Sequence, residues 1–291
     1  LGQKGSRRNI AGYALADATV ADRFTLTAGV RYDDNSTYGS ALSPRVSAGV
    51  EIPKTRTRIF GGVSRGFYAP TLNQYYLAVI GGTLTQRLDK EESSAFEIGV
   101  RQDFLDSRLD AEAVFFYTDY DTFINEVQLV QNAHVIGGEF ALRARLLDWL
   151  ETSLNYTALN AENSADGTAL SYRPEHRANA EVTVTPLEHW DITATARYTG
   201  AQAIAHVLST QALGDLQVAF FDANGVPASE ALSSHFILGL SSRYTHGIGK
   251  PWLKELVYSA RAVNLTNSSY QEKFGYPMPR FRFTAGVEAR F

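Results

Sequence analysis

The chain contains no cysteine, which excludes disulfides, thiol catalysis and thiolate metal sites. It has a single methionine. It also lacks an apolar run near the ~18–20 residues that a spanning helix needs; the nearest, YYLAVIGG at 75–82, is too short. Neither charge sign dominates, with 27 basic against 31 acidic residues and a pI near 5.9, so nothing in the electrostatics points to nucleic acid. The first residues, LGQKGSRRNI, are polar and have no apolar signal core. Either the protein is cytoplasmic or the chain begins partway through a longer one. No amphipathic helix of useful length and no Gly-x-Ser-x-Gly turn occur, and the six histidines are scattered. No metal site, cofactor or enzymatic activity is expected.

What the chain has is alternation. In FRFTAGVEARF at the end, Phe281, Phe283, Ala285, Val287, Ala289 and Phe291 are apolar, and the residues between them are polar or glycine. A strand turns successive side chains to opposite faces, so one face is wholly apolar and the other suits water. From this segment alone, the last strand of a soluble sandwich remains a second, less favoured reading. The same period recurs at Phe24–Asp33 and Trp190–Thr199, and more weakly at Asn9–Val20, Arg45–Ile52, Arg58–Phe67, Ser93–Phe104, Leu109–Tyr120, Ile136–Leu146, Leu150–Ala158, Arg177–Thr185, His235–Tyr244 and Leu256–Asn264. With the terminal strand this predicts an all-β chain of about thirteen strands.

Connection lengths sort by side. Links after odd-numbered strands are short: 21–23, 53–56, 105–108, 147–149, 186–189 and 246–252. Links after even-numbered strands are long: 34–42, 68–92, 121–131, 159–176, 200–233 and 265–279. Such sorting describes a transmembrane antiparallel β-barrel, with short turns at one membrane surface and long loops at the other. Aromatics sort with it. Trp149, Trp190 and Trp252 lie at or beside short turns, and Tyr32, Tyr117, Tyr156 and Tyr198 stand at the far strand ends, as membrane girdles would. The opposite phase carries Arg31, Arg45, Glu51, Glu97, Arg101, Asp110, Glu112, Glu139, Arg143, Arg145, Glu181, Arg197, Glu288 and Arg290. These charges suit a wet or plugged interior and not a packed core. An odd strand number leaves the barrel incomplete, with at least one strand expected upstream.

Ordered motifs carry a family resemblance. They are SRGFYAPTLNQYY (64–76), LDKEESSAFEIGVRQDFLDSRLDAEAVFFYTDYDTFI (88–124), GGEFALRARL (137–146), YRPEHRANAEV (172–182) and VNLTNSSYQEKFGYPMPRFRFTAGVEARF (263–291). Together they resemble the C-terminal barrel portion of TonB-dependent outer-membrane receptors, and the Tyr270 and Gly275-Tyr276-Pro277 region is most similar to the cobalamin-receptor branch, with much of it shared by catecholate-siderophore receptors. Tyr68, Lys90, Gly138, Thr266 and Arg280-Phe281 depart from the family pattern.

The resemblance implies a 22-stranded barrel around a plug. This chain would be one domain, residues 1–291, holding about 13 of those strands, with the plug absent. It further implies energy-coupled uptake of a large scarce nutrient across the outer membrane of a Gram-negative bacterium, with TonB acting through the missing plug. Expected partners are outer-membrane lipid, the nutrient and the barrel-assembly machinery. That machinery would read Phe291 with Ala289, Val287 and Phe283. Asn73, Tyr75, Tyr76, Tyr172, Arg173 and Tyr276, on the long-loop side, are the candidate ligand residues. A passive porin or specific channel is the alternative, since a charged interior serves a water path equally well. A soluble all-β enzyme or adhesin is a third reading, which partition into detergent with heat-modifiable migration would reject.

Overall fold

Every strand pattern read from the sequence forms a strand in the computed structural model, which describes residues 7–36, 38–69, 71, 90–125, 128–204 and 231–291. The strands are β1 (Asn9–Val20), β2 (Phe24–Asn35), β3 (Gly39–Ile52), β4 (Thr57–Tyr68), β5 (Glu91–Phe104), β6 (Leu109–Asn125), β7 (Gln128–Leu147), β8 (Leu150–Asn163), β9 (His176–Leu187) and β10 (Trp190–Thr199). After these come β13 (His235–Lys250), β14 (Leu253–Val263) and β17 (Arg282–Arg290). Together they build one thirteen-stranded sheet in chain order, each strand antiparallel to the last. Two small pairs stand apart: β11 (Gln202–Ala203) with β12 (Ala231–Leu232), and β15 (Gln271–Lys273) with β16 (Tyr276–Pro277). No helix occurs among the described residues.

Register fixes the two faces. Following paired residues from strand to strand places all fourteen charged residues of the inward phase on one face, for example along the rung Glu51, Arg58, Arg101, Glu112, Ala141, Asn155, Asn179, Arg197. Several of these charges neutralise one another: Arg58 with Glu51 at 3.1 Å, Arg101 with Asp110 at 2.8 Å and Arg290 with Glu255 at 3.3 Å. The opposite face carries Leu26, Val30, Val46, Ile59, Val63, Phe96, Ile98, Phe115, Phe140, Leu240, Phe283 and Val287, all large, apolar and exposed. So wide an apolar surface needs a nonpolar medium.

The polar face is not uniformly polar. Phe60 lies over Gly99 and Phe116 over Gly137, in the space where a side chain at either glycine would sit. A Cβ on Gly137 would come within 2.5 Å of the Ala158 carbonyl and 2.6 Å of the Phe116 ring.

Strand bounds differ from the sequence reading mostly at the long-loop end; at the other end β13 runs on to Lys250 and β14 starts at Leu253, so the link expected over 246–252 shrinks to 251–252. β3 starts at Gly39 and β7 at Gln128, so the connections expected over 34–42 and 121–131 shrink to residues 36–38 and 126–127. β7 is 20 residues long, or ~66 Å at 3.3 Å per residue, against the ~9–11 residues that cross a bilayer. The excess projects past the membrane on the long-loop side. There the apolar face ends: beyond Tyr117 follow Asp119 and Asp121 on β6, and beyond Tyr156 follow Asn160 and Glu162 on β8. Lipid no longer touches the projecting strands, and the Leu170 segment covers part of their inner face at Ala133 and Ala161, so nothing maintains apolar alternation on the outer one. His134 lies inside β7, hydrogen-bonded through Nδ1 to Ser164 at 2.8 Å and with Nε2 3.3 Å from the Glu162 carboxylate.

The sheet does not close on itself. Its edges are β1 and β17, and with an odd number of alternating strands the two run in the same direction.

Candidate functional site

Three segments fold over the long-loop end of the polar face. Residues 164–175, between β8 and β9, begin with a tight turn in which Gly167 has φ +70° and donates to the Asn163 carbonyl at 2.8 Å. The Asp166 carboxylate accepts from the Thr168 hydroxyl at 2.7 Å and from its amide at 3.0 Å; these bonds hold the acid below its ordinary pKa. The segment then turns inward. Leu170 donates its amide to Ala161 and buries its side chain against Ala133 and Ala161, beside Tyr120, Val135 and Leu159. Tyr172 follows with a left-handed backbone and donates its amide to the Ala203 carbonyl at 2.9 Å.

The last loop, between β14 and β17, is pinned at its base by Asn264. This residue is buried, left-handed at φ 56°, and donates to the carbonyls of Ser268 (2.8 Å) and Pro279 (3.3 Å) while accepting from the Ser268 amide (2.9 Å). Asn267 accepts from the Phe281 amide across the loop at 3.1 Å. On this base the β15–β16 hairpin, turned at Gly275 with φ +80°, reaches back over the sheet. Gln202 donates to the Glu272 carbonyl at 3.2 Å, the Glu272 carboxylate lies 3.8 Å from Arg197, and Lys273 stands 5.7 Å from the centre of the Tyr172 ring. Tyr270 stacks on the buried His235 with ring centres 4.4 Å apart. Three separate links are thereby drawn into one roof.

Beneath the roof is a cavity of about 360 Å³ lined by Tyr172, Arg177, Asn179, Arg197, Thr199, Gln202 and Glu272. Of the candidate residues, Tyr172 lines it. Arg173 lies beside it and donates to the Tyr172 carbonyl at 3.4 Å. Tyr276 is 68% exposed on the hairpin and does not line the cavity. Asn73, Tyr75 and Tyr76 lie outside the described residues. Of the remaining lining residues on β9 and β10, Arg197 was read as inward-facing, Arg177 and Asn179 entered only within the motif YRPEHRANAEV, and Thr199 was not singled out. Glu272 and His235 carried no site signal in the sequence, and Tyr270 entered only through the family resemblance, because loop folding brings all three in. Among the described residues no group of three or more His, Asp and Glu is placed to hold a metal.

The aromatics of the two expected girdles all lie at the ends of the apolar band. Trp149 and Trp252 sit in two-residue links and Trp190 opens β10, donating its indole N–H to Ser242 at 2.9 Å. Tyr156 and Tyr198 share a rung through Ala178, which pairs with both. A meandering antiparallel wall with an apolar outer band, a charged inner face and loops folded over one end defines the class of outer-membrane barrels.

Comparison with known proteins narrows the class. The family model for the TonB-dependent receptor-like β-barrel matches residues 2–267. The chain belongs to this family. An iron-regulated outer membrane virulence protein of Vibrio cholerae is 26% identical over 228 residues, covering 66% of this chain and 34% of that protein. A probable TonB-dependent siderophore receptor, PiuA, of Acinetobacter baumannii is 34% identical over 91 residues, covering 28% of this chain and 12% of that one. The crystal structure of a mutant ferric enterobactin receptor, PfeA, of Pseudomonas aeruginosa superposes with a TM-score of 0.75 at 20% identity, covering 98% of this chain and 45% of that chain. The chain therefore spans about a third or less of the curated relatives' length. As in its relatives, its place is the outer membrane of a Gram-negative bacterium, and the family consists of receptors and transporters, not enzymes.

Proposed function

We propose that this chain is the C-terminal part, residues 1–291, of a receptor barrel that takes up a ferric siderophore by energy coupling, with further strands and a plug supplied from outside this sequence. The observation that carries the reading is the roofed, donor-rich cavity at the long-loop end of a charged inner wall. A simple pore gains nothing from folding its loops into such a roof. A siderophore is favoured over cobalamin because the relatives that share the sequence are named for iron regulation and siderophores. On this reading TonB acts through the plug, and the cavity binds ligand without catalysing a reaction. The Trp and Tyr girdles anchor the wall in lipid, and Phe283, Val287, Ala289 and Phe291 present the apolar face of the terminal strand to the assembly machinery.

The test is uptake of iron-55 carried by catecholate and hydroxamate siderophores into cells expressing the whole receptor, with and without TonB. Accumulation that requires both receptor and TonB is expected. Equal flux without TonB would establish the passive channel instead.

A further inference from the structure

The cavity under the final loop has an unbalanced charge. Arg177 and Arg197 are diagonal neighbours across the β9–β10 pair, since Arg177 faces Thr199 and Arg197 faces Asn179. Like charges so placed repel. Among the described residues the cavity lining sets one carboxylate, Glu272, against two guanidinium groups, and it approaches Arg197 at 3.8 Å. That separation is well beyond the ~2.7–2.9 Å of a charge-assisted hydrogen bond. Arg177 has neither hydrogen bond nor ion pair among the described residues. The remaining lining is donor-rich, with the amides of Asn179 and Gln202 and the hydroxyls of Thr199 and Tyr172. At about 360 Å³ the space lies at the small end of ligand pockets, which run ~300–1,000 Å³. It fits one arm of a chelate or a small anion.

We propose that this cavity is an anion subsite. Arg177 and Arg197 take a planar oxyanion, a carboxylate or a catecholate, in the forked geometry that guanidinium groups favour. The anion displaces Glu272 from Arg197 and so frees the β15–β16 hairpin that Glu272 helps to hold down. Ligand entry and loosening of the roof are then one exchange of partners on a single arginine. This deepens the receptor reading by assigning a charge class to the ligand and a residue set to its capture. It also separates this subsite from the paired charges deeper in the wall, such as Arg58–Glu51, which have no vacancy to offer.

The experiment is calorimetric titration of the purified, detergent-solubilised whole receptor at low salt, with citrate in one arm and 2,3-dihydroxybenzoate in the other. Binding of at least one is expected, and the stronger arm names the oxyanion. Arg177→Gln and Arg197→Gln should each weaken it about tenfold or more, with the lysine variants recovering only part of the loss. Glu272→Gln should tighten it several-fold, because the internal competitor is gone. Failure of wild type to bind either anion, or unchanged affinity in the arginine variants, overturns the proposal. Should those variants not assemble, Glu272→Gln alone decides: no gain in affinity overturns it. Leakage of a large antibiotic through the arginine variants with anion affinity unmoved also overturns it, because the arginines would then hold whatever fills the barrel. Energy-coupled uptake that persists while these affinities stay flat sinks the subsite alone; anion binding as expected without TonB-dependent uptake sinks the receptor reading alone.

Discussion

Two adjacent glycines in β7 carry opposite constraints. Gly137 faces the charged side, where Phe116 and the Ala158 carbonyl already fill the place of a side chain, while a Cβ on Gly138 would meet only the Val114 carbonyl at 3.5 Å, an ordinary contact. Gly137→Val should therefore destabilise the barrel by roughly 1–3 kcal/mol through overpacking. Gly138→Val should be neutral or slightly stabilising, since a β-branched residue suits an apolar strand face. Midpoints of heat-modifiable gel migration for the two variants check the pair. Alternation already assigns the two glycines to opposite faces; what stayed hidden is the neighbour-strand register that sets Phe116 and the Ala158 carbonyl over Gly137.

At the scale of the strand, the legible part of the fold is the part that lipid reads. Leu109–Tyr117 and Leu150–Ala158 show alternation because one face meets hydrocarbon and the other meets water or protein. Past Tyr117 and Tyr156 neither face meets hydrocarbon, the lipid constraint lapses, and the ends of β6, β7 and β8 were not recoverable. The roof was less legible still, since Glu272, Tyr270 and His235 meet their partners through loops whose path no periodicity encodes. The terminal strand gives a direct measure of the lipid constraint. Ala285 pairs with Ala260 on the apolar face and Thr284 with Arg261 on the polar one. Ala285→Arg should cost about 2–4 kcal/mol if it lies near the midplane, as charges on the lipid face of such barrels do. Thr284→Asn, on the wetted face, should change little. Urea-induced unfolding of the receptor in lipid vesicles separates the two.

For the whole molecule the open edges dominate. β1 and β17 each leave a row of backbone donors and acceptors without partners, and in lipid every such group costs several kcal/mol. Expressed alone, residues 1–291 should fail to give an inserted, protease-resistant barrel of 32.0 kDa. Recovery of that species from membrane fractions after proteolysis would contradict the expectation.

The shared direction of those two edges also limits how the wall can be completed. Adding or removing a hairpin alters the strand count by two, so any number of such steps leaves β1 and β17 pointing the same way. Parity is thus a conserved quantity of the wall, and a ring of wholly antiparallel pairs that contains it takes an odd number of further strands.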